Sequence, residues 1–127
     1  MPSKAPAIHD PAHWDSVSTN YAAEADRMTG RYAQAAWELA ALPPGARVLD
    51  VATGAGALLV SALRDGADAV GIDFSPGMVE IAQARAAEIS PGRRALVMDG
   101  QQLDFPAESF AAAFSTSGVL IHRKRAV

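Results

Sequence analysis

Nine residues in the middle of this 127-residue chain, Val48-Leu49-Asp50-Val51-Ala52-Thr53-Gly54-Ala55-Gly56, restrict its fold more than any other stretch. A short β-prone run, Val48, Leu49 and Val51, breaks into two glycines one residue apart, and an Ala- and Leu-rich segment with helical spacing follows. The order is strand, tight turn, helix. Glycine has no Cβ, so Gly54 and Gly56 can take backbone angles closed to other residues and let a ligand lie directly against the main chain. The helix behind them would aim unpaired N–H groups at the same spot, which favours an anion there. Asp50 adds a carboxylate beside those donors. Such a pocket suits a zwitterion, with its anionic end on the amides and its cationic end near Asp50.

The chain then repeats the arrangement. Leu58, Leu59, Ala62 and Leu63 give the helix after Gly56 an apolar stripe, with Gly66 placed as its C-terminal cap. Ala69-Val70-Gly71-Ile72 reads as a second buried strand, and it ends in Asp73. A right-handed crossover sets two such strands side by side, so Asp50 and Asp73 should emerge at one edge of a parallel sheet, where ligands of open α/β sheets bind. Asp73 follows Gly56 by 17 residues. An acid at about that distance from a glycine turn is the expected acceptor for a ribose diol. The competing role is an N-cap, but Ser75 and Pro76 already supply the cap and the first helical position.

Pro76 to Ile89 carries Met78, Val79, Ile81, Ala82, Ala86 and Ile89 at helical spacing, and Ser90-Pro91-Gly92 stops it. Ala95 to Met98 is a third strand, closed by Asp99 and Gly100. Asp99 is open to two readings, an acceptor for the exocyclic amine of a purine or a solvated Asp-Gly turn. Phe110 to Ser115 is expected as a fourth strand, and Gly118 to Ile121 follows it.

Upstream, residues 1–13 read as an arm with several prolines, and 14–127 as the folded domain. Trp14, Val17, Tyr21, Ala25 and Met28 share a helical face, and Gly30 offers a break. Tyr21 or Trp14 could lid a ligand at the glycine turn; the alternative is core packing. A second helix, Arg31 to Leu42, is expected to bury Tyr32, Ala35, Ala36 and Leu39 before Pro43-Pro44-Gly45.

Composition removes other classes of function. Half the residues are hydrophobic and 20% charged, as in one globular domain. Net charge is −3, and the basic residues are scattered apart from Arg93-Arg94 and Arg123-Lys124-Arg125, so no nucleic-acid partner is expected. The absence of cysteine excludes disulfides and thiolate metal sites. No apolar run approaches membrane-spanning length, and the expected location is cytoplasmic.

Together, Asp50-x-x-x-Gly54-x-Gly56, Val70-Gly71-Ile72-Asp73-Phe74-Ser75-Pro76-Gly77-Met78 and Met98-Asp99-Gly100 resemble the class I S-adenosylmethionine-dependent methyltransferases, particularly those that methylate small molecules such as quinone precursors. A nicotinamide-binding turn would more often show G-x-x-G, and Leu59 occupies the last position of that pattern here. The resemblance implies an α/β fold, a Rossmann-like three-layer sandwich with a mostly parallel sheet, and S-adenosyl-L-methionine as cofactor. It implies that Gly54 and Gly56 pass under the methionine part, with Thr53 in the same turn, and that Asp50 lies near the ammonium. Asp73 would hold the ribose hydroxyls, Phe74 or Met78 would flank the adenine, and Asp99 with Gly100 would meet its amino group. Ser115 and Thr116 would lie near the sulfur.

A sulfonium methyl is already activated, so the expected chemistry needs an aligned acceptor in a dry slot, with no nucleophilic side chain. No catalytic residue is assigned; His122 is read as a surface histidine, with the deprotonation of an acceptor as its other possible role. The family's sheet has seven strands, and the count here reaches a fourth. That would leave an open apolar edge on the fourth strand, an invitation to pairing with another chain, and three readings follow: a fragment of a longer enzyme, a half-domain completed by self-association or a partner, or a relative that keeps only cofactor binding.

Overall fold

The computed structural model describes Pro11, residues 30–106, residues 109–115 and the backbone of residues 119–123. The expected helix over Trp14 to Met28, with Tyr21, falls outside them, as do Thr116 and the proline-rich arm apart from Pro11. In chain order the elements are α1 (residues 30–40), β1 (Arg47–Val51), α2 (Ala57–Arg64), β2 (Asp68–Asp73), α3 (Pro76–Ala87), β3 (Ala95–Val97), β4 (Ala112–Ser115) and β5 (Val119–Arg123).

The sheet order is β3-β2-β1-β4-β5. The first four strands run parallel, so each crossover returns to the same end and all their C-termini open on one rim. Alternation along the strands puts Val48, Ala69, Ala95, Ala112 and Phe114 on one face. There they pack with Leu58, Leu59 and Ala62 of α2, Val79, Ala82 and Ala86 of α3, and Ala33, Trp37 and Ala40 of α1. All described helices therefore lie over that one face.

Two expectations change, the buried face of α1 and the open edge of β4. Gly30 is the first described residue of α1, and the buried face of that helix is Ala33, Trp37 and Ala40, one residue out of phase with the expected stripe. Tyr32 and Leu39 are 66% and 84% exposed as a result. Trp37 decides the phase: its ring packs against Phe114 with centroids 6.2 Å apart, and its indole N–H donates to Asp65 Oδ2 at 2.6 Å. Secondly, β4 is not an open edge. β5 pairs antiparallel along it, with an irregularity between Ala113 and Phe114, so the unpaired strand sides belong to β3 and β5.

Local signals set the element ends as expected. Gly66 (φ 86) follows α2, its N–H donating to the Leu63 carbonyl at 3.1 Å. Ser75 caps α3, its hydroxyl accepting from the Met78 N–H at 3.2 Å, with Pro76 at the first helical position.

Candidate functional site

Strand register brings the first two acids together. Asp50 of β1 lies beside Gly71 of β2, so Asp73 stands two residues further along the same face and at the same rim. Both carboxylates turn toward the loop between β1 and α2. Asp73 accepts the Gly54 N–H at 2.9 Å on one oxygen and the Ser75 N–H at 3.0 Å on the other. It thereby ties the glycine turn to the start of α3. Asp50 Oδ2 accepts the Thr53 hydroxyl at 2.8 Å.

Electrostatics at this pair is unusual. Asp50 is only 4% exposed, and its pKa is pushed up to about 7. Burial is the principal cause; the Thr53 hydroxyl opposes it by favouring the anion, and the neighbouring Asp73 charge adds to it. The rim thus holds two close carboxylates, one of which changes charge near neutral pH.

The glycines act here through shape. Gly56 has φ 88, and a Cβ on it would lie 3.1 Å from the Ala82 Cβ, so the turn presses directly on α3. The Gly56 N–H donates to the Thr53 carbonyl at 2.9 Å, and the Gly54 N–H is engaged by Asp73. These two amides have partners inside the protein, so an anion at the turn would be left to the N–H groups at the start of α2.

Gly71 belongs to the site although sequence reading did not single it out. A Cβ there would fall 2.6 Å from the Thr53 hydroxyl oxygen and 2.8 Å from its Cβ. A glycine inside a strand, marking close backbone approach, was the available signal. Gly71→Ala is expected to push Thr53 off Asp50 and to lower stability by about 1–3 kcal/mol, the usual range for overpacking. Denaturant unfolding measures this, and a change below about 0.5 kcal/mol would refute the close fit.

The other expected residues are spread along the same rim. Phe74, half-buried, follows Asp73 directly, whereas Met78 is 2% exposed, its side chain enclosed in the protein. Asp99 is exposed beyond β3, and its Oδ1 accepts the Gln101 N–H at 2.8 Å in a local turn. Gly100 packs on β1, where a Cβ would meet Val51 Cγ1 at 2.7 Å. Ser115 ends β4, in register with Val51. Tyr21 lies outside the described residues. Among the described residues there is no cluster of three or more metal-ligating side chains, and no helix long and apolar enough to cross a membrane.

A mostly parallel sheet with a glycine turn after its first strand and an acid at the end of its second is the frame of an α/β nucleotide-binding domain. The chain belongs to the methyltransferase-domain family, whose model matches residues 48–127, and it has the Rossmann-like fold of the class I S-adenosylmethionine-dependent methyltransferases. It is 35% identical over 81 residues to an uncharacterized protein of Mycobacterium tuberculosis, covering 64% of this chain and 30% of that one. It is 38% identical over 84 residues to demethylmenaquinone methyltransferase of Thermus thermophilus, covering 65% and 38%. The chain thus spans about a third of the length of these curated relatives. Among solved structures, it is similar to a S-adenosylmethionine-dependent methyltransferase from Geobacter sulfurreducens in complex with S-adenosyl-L-homocysteine, with TM-score 0.54 and 28% identity over 67% of this chain and 35% of the other.

Proposed function

We propose that this chain is the S-adenosylmethionine-binding portion of a methyltransferase acting on a small molecule. The observation that carries the reading is the junction of Asp73 with the glycine turn, at the rim where Asp50 also ends. An ionised carboxylate offers about four acceptor positions, so the oxygens that take the Gly54 and Ser75 amides can also take ribose hydroxyls. Asp50, once ionised, complements the ammonium of the methionine part. Phe74 flanks the adenine, with Met78 packed behind; Asp99 and Gly100 are assigned to the adenine amine, and Thr53 holds Asp50 in place. Ser115 is assigned to the neighbourhood of the sulfur, and Tyr21 to the lid.

S-adenosylmethionine supplies an activated methyl when bound. The work left to the protein is to orient the two reactants in line and exclude water. The relative named demethylmenaquinone methyltransferase supports a quinone-type acceptor.

Calorimetric titration with S-adenosylhomocysteine tests the reading. One-to-one saturable binding, displaced by S-adenosylmethionine and indifferent to NAD, is expected. No heat and no amide shift at Gly54 would remove it. A second reading, a cofactor-holding module that does not turn over alone, is favoured by the unpaired strand sides that β3 and β5 leave among the described residues. Cofactor binding without methyl transfer to a quinone-type acceptor would select it.

A further inference from the structure

We infer that Arg85, on α3 and 30 residues from the glycine turn, is a positioning residue that sets the Ala55–Gly56 peptide for cofactor binding. The inference rests on the cofactor reading above. Its starting observation is a single bond: Arg85 Nη1 donates to the Ala55 carbonyl at 3.0 Å.

A peptide is planar, with its C=O and N–H pointing opposite ways, so fixing one end fixes the other. Here both ends are held. The Ala55 carbonyl is taken by Arg85, and the Gly56 N–H by the Thr53 carbonyl at 2.9 Å. That double hold matters because the loop has no regular ladder, and Ala52, Gly54 and Gly56 all have positive φ, at 56°, 57° and 88°. Glycine tolerates both orientations of the peptide before it, so Gly56 alone does not choose between them. Arg85 does. Its neighbour one turn earlier, Ala82, is the surface on which Gly56 rests, and residues three apart share a helix face. One face of α3 therefore supplies both the seat and the clamp.

The clamp is separable from the core. Arg85 is half-buried and borders a cavity of 400 Å³ between α1, α2 and α3, shared with Gln34, Ser61 and Arg64. Truncating it enlarges a space that is already open.

The test uses the 127-residue chain with Arg85→Met, which keeps an unbranched stem and removes the donor. Affinity for S-adenosylhomocysteine is expected to fall about 10- to 100-fold, the range of one charge-assisted hydrogen bond, with Arg85→Lys recovering part of it. The Gly56 amide is expected to exchange faster and to change its nitrogen shift. Arg64→Met, which borders the same cavity, should leave both unchanged. An affinity for Arg85→Met within about two-fold of the parent would overturn the proposal, whatever the exchange rate. If the parent binds no S-adenosylhomocysteine at all, the cofactor reading fails instead. In that case Gly56 exchange still decides whether Arg85 holds the turn: acceleration supports it, and an unchanged rate overturns it.

Discussion

Replacing Asp73 with alanine is expected to remove most of the affinity for S-adenosylhomocysteine and to destabilise the domain, two losses with separate origins. Asp73 is 7% exposed and accepts two backbone amides, from Gly54 and Ser75. Without it those donors lose a charged partner in a mostly enclosed place, at a cost of about 2–4 kcal/mol for the pair, since hydrogen bonds to charged groups contribute about 1.5–3 kcal/mol each and the amides regain some water. The ligand loses the acceptor of its diol, a further factor of about 10–100. Asp73→Asn separates the two effects. Its one carbonyl oxygen keeps one amide bond, so stability should fall less than in alanine, while bidentate acceptance of the diol is lost and affinity should fall nearly as far. Urea unfolding and calorimetry on both variants measure this. Equal affinity in the parent and Asp73→Asn would take Asp73 out of the ligand site and leave it as a brace between the turn and α3.

How much of this was visible in the sequence depends on how local the cause is. Ser75-Pro76, Gly66 and the acids at the ends of β1 and β2 act within a few residues or through the crossover rule, and the structure places them as the sequence implies. The phase of α1 did not come through. Four of its eleven residues are alanine, so almost any stripe drawn along it looks apolar, and only the contact of Trp37 with Phe114, 77 positions away, distinguishes the true face. The partner of β4 depends equally on a pairing that no short pattern encodes. At the turn, the glycine spacing was legible but the destination of its amides was not. Whether Gly54 and Gly56 offer their N–H groups outward depends on Asp73 and Thr53 already being in place to take them. Arg85 had no signal at all, because an arginine on a helix is ordinarily a solvated cation, and its carbonyl partner is set by tertiary packing.

Asp50→Asn is expected to flatten the pH dependence of stability and to abolish the pH dependence of cofactor binding. Asp50 moves from 3.8 in the unfolded chain to about 7 in the folded one, so between those values the folded protein holds more protons than the unfolded. Stability therefore falls as pH rises through that window and levels off above it. Asparagine never ionises, and its carbonyl oxygen still accepts the Thr53 hydroxyl, so at about pH 8 the variant should exceed the parent in stability by about 1–3 kcal/mol, the desolvation cost less the weaker bond. Cofactor binding runs the opposite way. A cation beside Asp50 favours its charged form, so the parent's affinity for S-adenosylmethionine should rise between about pH 6 and pH 8, and binding near pH 6.5 should release a proton, read as a dependence of the calorimetric heat on buffer ionisation enthalpy. In Asp50→Asn both signatures vanish and affinity stays near the parent's low-pH value. A parent whose affinity is flat over this range would show that Asp50 braces Thr53 without meeting the ligand's charge, and would leave the cationic end of the pocket to other groups.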